Sequence, residues 1–129
     1  MRLGDLLSEC TYEEVIGLRE QGDHGLRPVE DGRFSGTDIS GIEYDSRRVK
    51  EYVLFVAIRG ENYDGHNFVG DALKRGAAGI VHEKKITNER MPEGWMSGLR
   101  AQASELFFIR VKDTRDALAC ISNNFYRSP

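Results

Sequence analysis

Val53-Leu54-Phe55-Val56-Ala57-Ile58, the loop Arg59-Gly60-Glu61-Asn62-Tyr63-Asp64-Gly65-His66, and the run from Asn67 to His82 together decide the fold. The first six residues are continuously apolar and rich in β-branched and aromatic side chains. With charges before them and Gly60-Glu61-Asn62 after, they predict a strand buried on both faces. Phe68, Ala72 and Leu73 then recur at helical spacing. Lys74 and Arg75 suit the negative end of a helix dipole, and Gly76 stands where a left-handed residue closes a helix. Ala77-Ala78-Gly79-Ile80-Val81-His82 reads as a second buried strand. Residues 53 to 82 therefore predict a strand-helix-strand unit with a parallel, right-handed crossover.

Upstream, Ile42 and Tyr44 alternate before Asp45-Ser46-Arg47, which predicts a strand whose C-terminal end carries the polar triplet. Downstream, Leu106 to Val111 has the composition of another buried strand. Asp113 then opens a helix with Thr114 and Asp116 in its first turn and Ala117, Leu118, Ile121 and Phe125 on one face. Near the N-terminus, Leu3, Leu6 and Leu7 suggest a turn or short helix. Thr11 and Glu14 have the spacing of a capping box, so a helix is expected from there through Val15, Ile16 and Leu18 to Gln21-Gly22. Residues 23–38 read as loop with a short strand near Pro28 to Glu30, and part of the polar stretch 83–105, around Met96 to Ser104, as helix. The fold class expected is α/β, a three-layer α/β/α domain with a mixed sheet.

A chain of 129 residues, with 40% hydrophobic and 30% charged residues, has the length and composition of one folded domain. Its net charge of -3 offers no broad positive field for nucleic acid. Arg47, Arg48 and Lys50 are interleaved with Glu43, Asp45 and Glu51, the pattern of a solvated face. Cys10 and Cys120 lack metal-site or disulfide-framework spacing and are expected as small core residues. The N-terminus fails as a signal peptide and no run is long enough to span a membrane, so the cytoplasm is the expected location.

In open α/β sheets, ligands bind beyond the C-terminal ends of the strands. That rule directs attention to Asp45-Ser46-Arg47 and to Gly60 through His66. Ser46 can donate a hydroxyl, Arg47 presents a fork that matches phosphate oxygens, and Gly60 and Gly65 permit close backbone approach to a diphosphate. Turn chemistry accounts for both loops equally well on physical grounds alone. His66, beside an Asp-Gly turn, is expected to hydrogen-bond locally, and no catalytic residue is assigned.

The wording of these loops goes further. Ile42-Glu43-Tyr44-Asp45-Ser46-Arg47-Arg48-Val49, Leu54 through Phe68, Ala72 with Gly76-Ala77-Ala78, and Asp113 through Pro129 together resemble, in order and spacing, the N-terminal domain of the Mur ligases. The ending Phe125-Tyr126-Arg127-Ser128-Pro129 and the Asp-Ser-Arg triplet resemble the MurE type. One departure stands out: family members usually have Pro-Gly-Asp before the Leu-Phe-Val-Ala strand, where this chain has Glu51-Tyr52-Val53.

The resemblance implies that residues 1–129 form a UDP-binding domain in which Tyr44, Ser46, Arg47, Glu61, Asn62 and Tyr63 line the site for the UDP end of UDP-N-acetylmuramoyl-L-alanyl-D-glutamate. The parent enzyme would then be an ATP-dependent ligase, using ATP and Mg, that adds the third residue of the peptidoglycan stem peptide. The Gly-x-x-Gly-Lys-Thr/Ser loop that cradles ATP phosphates is absent here. The chain is therefore expected to end at a domain boundary, to contact an ATPase domain outside it, to hold no cofactor and to be inactive alone. Two alternatives stand beside this: the MurF type, which adds the terminal dipeptide, and a stand-alone non-catalytic UDP-sugar-binding module.

Overall fold

The computed structural model describes residues 1–20, 26–28, 37–85, 95 and 105–127. Its elements are α1 (Leu3–Leu6), β1 (Glu14–Glu20), β2 (Leu26–Pro28), β3 (Gly41–Glu43), β4 (Val53–Val56), α2 (Val69–Lys74), β5 (Gly79–His82), β6 (Glu105–Arg110) and α3 (Thr114–Arg127). Short 3-10 turns at Ser46–Arg48 and Gly65–Phe68 follow β3 and precede α2.

The sheet is mixed and ordered β2-β1-β6-β5-β4-β3. Four strands, β3 to β6, run parallel, whereas β1 lies antiparallel to both β6 and β2. Alternation along the central strands divides the core in two. Leu54, Val56, Val81, Phe107 and Ile109 face Leu3 and Leu6 of α1 and Ala117 and Ile121 of α3. Val53, Phe55, Ile80, Leu106 and Phe108 face Val69, Ala72 and Leu73 of α2, with Trp95. Because β4 and β5 are buried on both faces, their sequences carry no polar alternation, as parallel strands between helical layers require. This is the three-layer α/β/α arrangement expected, and the β4-α2-β5 unit is parallel.

Two expectations fail. Residues 14–20 form a strand, not a helix: β1 pairs with β6 over six positions, from Glu14 opposite Arg110 to Arg19 opposite Glu105. Val15 packs toward the α3 side and Ile16 and Leu18 toward the α2 side. A capping box satisfies two amides, whereas a six-residue ladder satisfies many and suits the β-branched Val15 and Ile16, so tertiary pairing overrides the local signal. The cysteines also differ from expectation. Cys10 and Cys120 form a disulfide across 110 residues, with Cα atoms 6.0 Å apart. Spacing in sequence could not reveal it, because only the packing of α3 over α1 brings the two together. Of the strand expected near Pro28 to Glu30, β2 includes Pro28 but begins at Leu26, and residues 29 and 30 lie outside the described residues, as does the helix expected at 96–104.

The turn Glu51-Tyr52-Val53, where the sequence departs from the Pro-Gly-Asp pattern, takes a conformation that suits glycine. Tyr52 has φ +66°, the left-handed region that glycine enters freely and other residues enter at a cost. Its amide donates to Gly76 O at 2.9 Å and its carbonyl accepts from Ser40 N at 2.9 Å. Gly76 itself has φ +106°, and a Cβ there would lie 2.9 Å from Glu51 Cα. Two crossed chain segments thus hold the tyrosine in a glycine's conformation.

Candidate functional site

The parallel strands β3 and β4 deliver two loops to their C-terminal ends. After β3, Asp45 caps the Ser46–Arg48 turn by accepting the Arg47 amide at 3.0 Å. The same carboxylate takes Arg47 Nε at 3.1 Å and Nη2 at 2.9 Å. The Asp45 carboxyl is held below its ordinary pKa, chiefly by the side-chain hydrogen bond from Arg47, and the guanidinium is raised in return. Arg47 is therefore an exposed residue with half of its fork turned back on its own loop. Ser46 lies beneath it, 2% exposed, while Tyr44 is 58% exposed.

After β4 the chain makes a tight, closed excursion. Gly60 N donates to Tyr63 O at 2.6 Å, Gly65 N to Ile58 O at 2.7 Å, and Arg59 pairs with Asp64 as an isolated bridge. The closure needs glycine at 65, because a Cβ there would stand 2.7 Å from Ile58 N. Glu61, Asn62 and Tyr63 project from this loop into solvent. Tyr63 stacks on Phe68 with ring centroids 5.3 Å apart. Its phenol pKa is raised, first by burial and then by the charge of Asp45, with Arg47 acting in the opposite sense. Tyr63 therefore lies within electrostatic reach of the Asp45–Arg47 turn. The predicted residues thus gather from two loops at the ends of the neighbouring strands β3 and β4.

Behind them lies a polar network that the sequence did not single out. Asp64 Oδ1 accepts the His66 amide at 3.0 Å and contacts His66 Nδ1 at 2.7 Å. Burial works against the Asp64 carboxylate, but the two His66 hydrogen bonds prevail and its pKa is lowered. On the far side of the ring, His66 Nε2 accepts the Glu83 amide at 2.9 Å, and Trp95 Nε1 donates to His66 O at 3.2 Å. Glu83 Oε2 then receives both the amide and the hydroxyl of Thr114. The local role expected for His66 holds, and its reach across strands is additional. The one signal available in sequence was aspartate two residues before histidine, the spacing of a side-chain turn.

No groups of three or more His, Cys, Asp or Glu suited to a metal ion occur among the described residues, and no helix among them is long and apolar enough to cross a membrane. The phosphate-cradling glycine-lysine loop does not occur in the sequence.

A mixed sheet of this order, with helices on both faces and polar loops at its strand ends, defines a three-layer α/β domain. Residues 38–126 match the model of the Mur ligase family, catalytic domain, and the chain belongs to that family. Among curated relatives, it is 39% identical over 92 residues to the UDP-N-acetylmuramoyl-L-alanyl-D-glutamate--2,6-diaminopimelate ligase of Clostridium tetani, covering 71% of this chain and 17% of that protein. It is 31% identical over its full length to the Clostridium perfringens enzyme of the same name, covering 20% of it. The chain thus spans about a fifth of the length of these relatives. Among solved structures, a UDP-N-acetylmuramoylalanyl-D-glutamyl-2,6-diaminopimelate--D-alanyl-D-alanyl ligase from Acinetobacter baumannii superimposes with a TM-score of 0.52 at 27% identity, covering 72% of this chain and 17% of that one.

Proposed function

We propose that residues 1–129 are the N-terminal UDP-binding domain of an ATP-dependent, MurE-type amide ligase that adds the third residue of the peptidoglycan stem peptide to UDP-N-acetylmuramoyl-L-alanyl-D-glutamate. The observation that carries this reading is the convergence of the Ser46 turn and the Gly60–Asp64 loop at the C-terminal ends of two adjacent parallel strands. Ser46 and the loop amides suit a diphosphate, because hydroxyl and backbone donors satisfy phosphate oxygens without adding a mobile charge. Tyr44 and Tyr63 offer aromatic surface to the uridine, and Glu61 and Asn62 contribute through the loop that carries them. Arg47 is a supporting residue, its remaining donors directed at phosphate while Asp45 holds the others.

In this reading the domain binds and does not catalyse. Phosphorylation of the substrate carboxylate and amide formation fall to parts of the cytoplasmic enzyme beyond these residues, which hold ATP and Mg and contact this domain. The relatives named for diaminopimelate addition favour the MurE type. The likeness to the D-alanyl-D-alanyl ligase structure keeps the MurF type as the second reading, and assay of the parent protein with a single amino acid against a dipeptide acceptor separates them. The UDP reading is tested by NMR titration: UDP should shift the amides of Ser46 and of residues 60–66. Saturating UDP without response there would remove the proposal.

A further inference from the structure

His66 is 2% exposed and uses its two ring nitrogens in opposite senses. The Glu83 amide can only donate, so Nε2 must accept, and the proton must sit on Nδ1, which faces the Asp64 carboxylate. The imidazole is thereby the one side chain among the described residues that hydrogen-bonds both the end of the loop after β4 and the end of β5. The loop has its own short hydrogen bonds, and a long one of 3.5 Å from Arg115 to Arg59 O, but these do not tie it to β5.

We infer that His66 is a positioning residue for UDP: through Asp64 it fixes the Gly60–Asp64 loop against the end of β5, so that the loop amides and Tyr63 keep one geometry. The inference rests on the UDP reading above. A side chain that merely filled space could be replaced by an apolar one of similar size without consequence for the ligand. A linking imidazole could not, because leucine offers Asp64 no donor and Glu83 no acceptor. Glutamine can return the acceptor toward Glu83 while leaving Asp64 without its ring donor.

The test is calorimetric titration of UDP into the chain and its His66→Leu and His66→Gln variants, alongside Ile121→Val as a core variant remote from the loop. His66→Leu should weaken UDP at least tenfold, His66→Gln should fall between it and the parent, and Ile121→Val should bind as the parent does. Amide exchange of residues 60–64 in the free chain should quicken in both His66 variants and not in Ile121→Val, and nitrogen NMR should find the Nδ1–H tautomer. If the parent binds UDP while His66→Leu and His66→Gln bind within twofold of it, the inference is overturned, as it is by an Nε2–H tautomer. Should His66→Leu not fold, His66→Gln alone decides. A parent chain indifferent to UDP sinks the UDP reading, and unchanged exchange at 60–64 separately sinks the positioning role.

Discussion

Glu83 Oε2 accepts the backbone amide of Thr114 at 3.0 Å and its hydroxyl at 2.8 Å, joining the end of β5 to the first residue of α3. Thr114 is fully buried, so neither donor has water as a substitute. Asp113 covers the next amides, accepting from Arg115 at 2.8 Å and Asp116 at 3.2 Å. The two carboxylates therefore divide the free amides of one helix start.

Glu83→Ala should cost about 1–3 kcal/mol, the range for leaving a buried donor unpaired. Asp113→Ala, at an exposed cap, should cost about 1 kcal/mol. Urea denaturation of both variants checks the order. Equal losses would mean that burial of Thr114 adds nothing.

The Cys10–Cys120 disulfide closes nearly the whole chain into a loop. Beside it, Asn124 Nδ2 donates to Leu6 O at 2.9 Å and Ser8 O at 2.8 Å, so α3 is bound to the segment after α1 by more than sulfur. Reduction, or the paired change Cys10→Ser and Cys120→Ser, should lower stability by roughly 2–5 kcal/mol while leaving a folded chain. Thermal melts with and without reductant measure it, and a reduced parent melting with the oxidised one would contradict the prediction.

Tyr52 supports a test of opposite sign. Replacing a non-glycine residue at φ +66° by glycine removes a strain of about 1 kcal/mol, less the flexibility glycine adds to the unfolded chain. Tyr52→Gly should therefore be neutral to stabilising by up to about 1 kcal/mol, whereas Tyr52→Val should destabilise. A marked loss with glycine would show that the half-exposed phenol ring contributes more than its backbone costs.

His82 sets an acid limit. Its side chain is buried against Trp95 and Phe108, and among the described residues neither ring nitrogen makes a well-formed hydrogen bond, the Lys84 backbone giving only a weak polar contact. Burial, then the neighbouring His66 and Arg110, lowers its pKa to about 4. Since the unfolded chain takes up this proton near pH 6.5, stability is complete above that pH and declines as pH falls toward 4, by on the order of 3 kcal/mol. His82→Leu should flatten the pH dependence in that window and cost little near neutrality, because no well-formed hydrogen bond among the described residues is lost. Denaturant midpoints at pH 7.5, 6 and 5 decide it. A parent and variant that fall in parallel would mean that other groups carry the acid response.

Much of the fold was legible because β4, α2, β5, β6 and α3 bury their apolar positions in patterns that local physics produces. The segment 14–20 was not, since its capping signal is local and its ladder to β6 joins residues about ninety apart. The candidate loops were also legible, as turn residues at strand ends. Their polar backing was not: nothing in the sequence around Glu83 marks it as the partner of both His66 and Thr114.

The sequence by itself determined the parallel β4-α2-β5 unit, the two strand-end loops and, through their wording, the resemblance to the Mur ligases, because each depends on neighbours in the chain. Tertiary structure alone decided that residues 14–20 extend rather than coil, that Cys10 meets Cys120, and that His66 reaches Glu83. Each of those joins groups far apart in sequence, and the free energy that selects them comes from burial and pairing that exist only once the layers have packed.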